Sequence, residues 1–151
     1  MILTEIMFYH LMHSPLEAAL PILLEKSLAK GWNVIIRSED ENHIEKLNHS
    51  LWNYSEDSFL PHDSHQGEKA QEQPIYLTIH DENPNKAAAC FLIDGAMPFA
   101  IDEFERIIYM FDGRNEDRLT AARSLWKQLK TQDYSLTYWQ QDFQGRWSQQ
   151  G

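Results

Sequence analysis

The sequence predicts an α/β fold: a mostly parallel sheet with helices on both faces, in a single domain over residues 1–151. Two observations lead there. Short runs rich in Val, Ile and aromatic residues alternate with longer stretches of helical period, and Pro, Gly or Asn separates most of them. No internal repeat or linker divides the 151 residues, a length suited to one domain.

Ile2–Tyr9 is apolar and reads as an opening strand. Ser14, Pro15 and Glu17 then predict a capping box with serine at the N-cap and proline in the first turn. Leu16, Leu20, Leu23, Leu24 and Leu28 supply that helix with an apolar stripe, and Lys30-Gly31 ends it. Trp32–Arg37 is a second strand. A second helix runs from about Asp40 to Asn53, with Ile44, Leu47, Leu51 and Trp52 on one side. Gly, Ser, His and charged residues crowd 62–73, which predicts a mobile loop. Pro74–Ile79 and Ala88–Ile93 read as strands. Helical patterns follow at Asp102–Phe111 and Glu116–Lys130, then a last strand near Ser135–Gln140. Residues from about 143 onward read as a tail that could be flexible.

Composition narrows function. Thirteen Lys and Arg against 23 Asp and Glu give a net charge of −10, which disfavours strong direct binding to nucleic acid or to an anionic membrane surface. No 18-residue apolar run or basic leader occurs, so the expectation is a cytoplasmic protein. The single cysteine, Cys90, sits in an apolar run and reads as a buried hydrophobe. The connection His10–Pro15 lacks glycine, and neither a dinucleotide fingerprint nor a P-loop is present, so no cofactor is expected. His10/His13 and His62/His65 have i, i+3 spacing without a Cys or HExxH partner, so no metal site is expected. Glu39-Asp40-Glu41 and Asp102, Glu103 and Glu105 suit helix starts better than acid/base pairs. No nucleophile elbow appears, and no catalytic residue is assigned.

Two segments look like docking surfaces. Residues 114–130 hold five basic and two acidic residues, a local excess of +3. Within them Leu119, Ala122, Trp126 and Leu129 form a stripe bordered by Arg123, Lys127 and Lys130. A cationic rim around an aromatic contact suits an acidic peptide with an apolar anchor; macrodipole and core-edge roles explain the lysines equally well. The second segment, Leu51–His62, gathers Trp52, Tyr54, Phe59 and Leu60 beside Pro61, either as core or as an apolar patch for a partner. Tyr138, Trp139, Phe143 and Trp147 likewise need something to pack on.

These segments carry a family resemblance. Phe8–Leu11, Pro15–Glu17, Leu51-Trp52, Ser58–His62, Gln73-Pro74, Asn83–Asn85, Phe111–Gly113, Ala122-Arg123 with Trp126-Lys127, and Tyr138–Gln141 with Gly145–Trp147 resemble the chi subunit of bacterial DNA polymerase III holoenzyme, in order and spacing. The resemblance implies a Rossmann-like accessory protein without catalytic activity. It implies two partners: a psi subunit leading to the clamp loader, and the acidic, Phe-terminated tail of single-stranded DNA-binding protein. By position, the tail site would comprise Phe111, Arg123, Trp126 and Lys127, and the psi-facing surface Trp52, Phe59, Leu60 and Pro61. Against this stand two other classes, a small nucleotide-binding α/β enzyme and a direct single-strand binder.

Overall fold

The computed structural model describes residues 4–12, 14–53, 60–142 and 144–151. Among them, eight strands form one sheet in the order β3-β4-β2-β5-β6-β1-β7-β8. The strands are β1 (Glu5–Leu11), β2 (Val34–Arg37), β3 (His62–Ser64), β4 (Ile75–Thr78), β5 (Ala89–Leu92), β6 (Arg106–Asp112), β7 (Ser135–Gln141) and β8 (Trp147–Gln149). Every pairing is parallel except β7 with β8, which is antiparallel. Three helices cover the sheet: α1 (Leu16–Ala29), α2 (Glu41–Trp52) and α3 (Glu116–Lys130). Leu20, Leu24, Ile44 and Leu47 from α1 and α2 pack on one face with Ile36, Leu77 and Phe91. On the other face Ala122, Leu125 and Leu129 of α3 meet Phe8, Ile35, Cys90 and Ile107. Helices on both faces bury the central strands from both sides, which is why Val34–Arg37 and Ala89–Leu92 are apolar almost throughout.

Sequence and structure part at three places. The helical pattern at Asp102–Phe111 resolves into a short 3-10 turn at Ile101–Glu103 and the central strand β6. A continuous apolar run such as Ile107–Phe111 has no period to separate helix from strand, and parallel pairing with β1 and β5 decides it. The 62–73 segment contains edge strand β3 and a 3-10 turn at Ala70–Glu72 in place of the expected loop. His62 anchors it: buried, its Nδ1 lies 2.5 Å from the Leu60 carbonyl and its Nε2 2.8 Å from that of Asn48.

The capping box does not form. Pro15 takes the N-cap position of α1, without a side-chain cap. Ser14 instead donates its backbone N–H to Gln141 Oε1 of β7 (3.1 Å), and Glu17 reaches His43 on α2 (2.8 Å). Tertiary partners outcompete the local ones. At α2 the expectation matches the structure, with Asp40 accepting from the N–H groups of Asn42 and His43.

Candidate functional site: an aromatic hollow on α3

Asn115 caps α3 by accepting the Arg118 N–H, and Glu116 and Asp117 complement the positive end of the helix dipole. With Ala122, Leu125 and Leu129 turned to the sheet, the helical period leaves Arg123 and Lys127 exposed and Trp126 half-buried at the border. Trp126 stands edge-on to two rings of the sheet: Phe8 of β1 at 5.2 Å and Tyr138 of β7 at 5.6 Å between centroids. The Lys130 ammonium lies 5.3 Å from the centre of its indole ring, a cation–π contact.

Between Trp126 and Tyr138 opens a hollow of about 290 Å³, lined by these two rings with Arg123, Lys127, Gln150 and Gly151. The last two residues extend the β8 hairpin: Gln150 donates its N–H to the Tyr138 carbonyl (2.7 Å), and Tyr138 donates to that of Gly151 (3.1 Å). The hollow is apolar inside and cationic at the rim, so it suits an apolar group tethered to an anion.

Of the four residues expected at this site, Arg123, Trp126 and Lys127 come together. Phe111 lies beneath: it is 4% exposed and touches the rings of His10 and Tyr138 rather than the hollow. Within β6 only the end residues Arg106 and Asp112 are part-exposed, and Phe111 lies inside them as part of the buried run. Tyr138 and Gln150 are lining residues that sequence reasoning did not assign to the site. The period-2 signal placing Phe8 and His10 on one face of β1, toward β7, was available for the aromatic layer.

The second expected surface is at the far edge of the sheet. Trp52, at the end of α2, is 53% exposed and stacks on His62 with ring centroids 4.1 Å apart. Leu60 is 3% exposed and packs into the α1/α2 core, and Pro61 beside it is half-buried. Phe59 lies outside the described residues.

A further crevice of about 370 Å³ opens at the carboxyl ends of β1, β5 and β6, near the starts of α1 and α3. Its floor holds a bridge in which His43 faces Asp94 through Nδ1 (2.6 Å) and Glu17 through Nε2 (2.8 Å). Among the described residues, no group of three or more His, Cys, Asp or Glu side chains is arranged to hold a metal ion, and no helix is long and apolar enough to cross a membrane.

Fold and hollow together define a class: a small α/β protein with an aromatic, cation-rimmed recess between a helix and the neighbouring strands of its sheet. Comparison with known proteins gives the particular family. The sequence profile described as "DNA polymerase III chi subunit, HolC" matches residues 3–137. A "Probable DNA polymerase III subunit chi" from Rickettsia prowazekii (strain Madrid E) is 33% identical over 111 residues, covering 69% of this chain and 67% of that protein. The chain belongs to the DNA polymerase III chi subunit family, whose members are accessory subunits of the polymerase.

Proposed function

We propose that this chain is a non-catalytic adaptor that holds the acidic C-terminal tail of single-stranded DNA-binding protein at α3 and joins it, through a psi subunit, to the clamp loader in the cytoplasm. The observation that carries the tail reading is the hollow itself, with aromatic walls at Trp126 and Tyr138 and two exposed cations, Arg123 and Lys127, at its rim. A terminal aromatic ring fills the recess while its carboxylate and the acidic residues before it meet the cations. A bidentate carboxylate suits the planar guanidinium of Arg123 best. The local positive charge also explains how a protein of net charge −10 attracts an acidic ligand: within a Debye length of the rim, the near cations outweigh the remote anions.

For psi, the reading rests on Trp52, whose large apolar ring is exposed. Leu60, buried in the core, and half-buried Pro61 follow in the same stretch of sequence, and Phe59 is assigned to this surface by resemblance alone. The test of the tail site is titration with an acidic peptide ending in Pro-Phe and a free carboxylate, followed by Trp fluorescence. Saturable binding, weakened roughly ten-fold by Arg123→Ala and also by amidating the peptide, is expected. Lys127→Ala costs less, because an exposed pair is screened. A folded protein that ignores the peptide at low salt refutes the reading, and tight binding of naked oligonucleotide in its place favours a single-strand binder.

A further inference from the structure

The wall of the hollow formed by Tyr138 is held from behind. Its hydroxyl meets Nδ1 of His10 at 2.7 Å, and His10 is itself buried, 7% exposed, at the carboxyl end of β1. The His10 ring is fixed on every side: edge-on to Tyr138 at 5.8 Å, against Phe111 at 4.9 Å, and over Gly113, where a Cβ would fall 1.7 Å from Nε2. Nε2 has no hydrogen-bond partner among the described residues, so among them the Tyr138 hydroxyl is the one hydrogen-bond partner found for this imidazole's side-chain nitrogens. Burial and the nearby Arg123 charge hold the His10 pKa below its usual value, which keeps the ring neutral at pH 7. A buried neutral ring bonded to one hydroxyl has little freedom, and it confers that rigidity on Tyr138.

We infer that His10 is a positioning residue that fixes the Tyr138 ring perpendicular to Trp126, and that this pair makes the hollow selective for an aromatic over an aliphatic terminal side chain. The inference rests on the tail reading above and deepens it. Trp126 and Tyr138 cross at 87°, so a planar ring entering between them meets one face and one edge, the arrangement that aromatic rings prefer. A branched aliphatic group gains only contact area there. Without the anchor, Tyr138 keeps its ring contacts with Phe8 and Phe111 but loses the one hydrogen bond that pins its hydroxyl, so the ring settles less precisely against Trp126 while the cationic rim is untouched.

The experiment compares two acidic peptides, identical except for a terminal Phe or Leu with free carboxylate, by calorimetry. Wild type should bind the Phe peptide about five-fold more tightly than the Leu peptide. Tyr138→Leu should bring the two affinities together, whereas Arg123→Ala should weaken both alike and preserve their ratio. Tyr138→Phe and His10→Leu should each reduce Phe-peptide affinity about five-fold, and the double variant should be no weaker than either, since both remove one interaction. Circular dichroism establishes that each variant is folded, and Tyr138→Phe, the smallest change, keeps the comparison available if another does not fold. If wild type binds neither peptide, the tail reading falls and the inference with it. If it binds both and Arg123→Ala weakens them, yet folded Tyr138 and His10 variants keep the wild-type affinities and ratio, the tail site stands and the positioning role is overturned.

Discussion

Removing His43 tests whether the bridge between α1, α2 and the turn after β5 contributes to stability. Both ring nitrogens face carboxylate oxygens, Asp94 at 2.6 Å and Glu17 at 2.8 Å, so both must carry hydrogen and the ring is an imidazolium. Its pKa rises from 6.5 to about 9, chiefly through the hydrogen bond to Asp94, against burial and with help from Glu17. Asp94, with Ser38 donating to it at 2.5 Å, is held below its usual range although burial pushes the other way. A group whose folded pKa lies above its unfolded value stabilises fully below about pH 6.5, and the contribution disappears as pH rises through about 9. At about 1.36 kcal/mol per pH unit the shift sets a ceiling of about 3 kcal/mol. Glu17 is half exposed and screened by solvent, which lowers the expectation to about 2 kcal/mol. Urea denaturation of wild type and His43→Gln from pH 6 to pH 10 measures it: the stability gap between them should narrow by about 2 kcal/mol between pH 6.5 and 10. A gap that stays constant over that window refutes the imidazolium bridge.

Three other substitutions or reactions probe the fold. Ile108→Ala, at a nearly buried position in β6, should cost about 2–5 kcal/mol in urea denaturation, whereas a surface helix at this position would lose under 1 kcal/mol. Gly113→Ala places a methyl group against the His10 ring and should cost about 1–3 kcal/mol by overpacking, visible as a lower urea midpoint. Cys90 is buried and its thiol is pushed well above the usual range by burial, so a disulfide reagent at pH 8 should modify it only as fast as the protein unfolds, and at once in denaturant.

Most elements were legible because their signals were local. Asp40 before a helical period marked the start of α2, and Lys30-Gly31 marked the end of α1, where Gly31 adopts φ +81°. What escaped depended on partners distant in sequence. Ile107–Phe111 became a strand because β1 and β5 flank it. His62 was ordered by carbonyls from α2 and from Leu60, and Ser14 lost its capping role to Gln141. At the candidate site, helical periodicity set Arg123, Trp126 and Lys127 along one border of α3, and in the structure all three line one hollow. It gave no view of Tyr138 on β7 or of Gln150 just after β8, which only the sheet order sets beside α3. Phe111, assigned to the same site by resemblance, lies beneath the hollow instead, because its strand runs through the core.

The sheet order also bears on how the two proposed sites are arranged on so small a protein. Trp52 lies over β3 at one edge, while Tyr138 belongs to β7, and five strands (β4, β2, β5, β6 and β1) stand between them. At about 4.8 Å per strand β3 and β7 are roughly 29 Å apart. They also use opposite faces, since α2 packs in the core layer that excludes α3. The two proposed sites therefore share no residue, and hydrogen-bonded strands fix the distance between them. A flexible linker of the same span would allow both to bind but would not transmit position. Binding at the two sites should accordingly be independent: the affinity of a tail peptide for this chain should be the same within two-fold with and without a saturating partner at Trp52, and Trp52→Ala should leave tail affinity unchanged. Mutual exclusion would mean that the two surfaces overlap, contrary to the strand order.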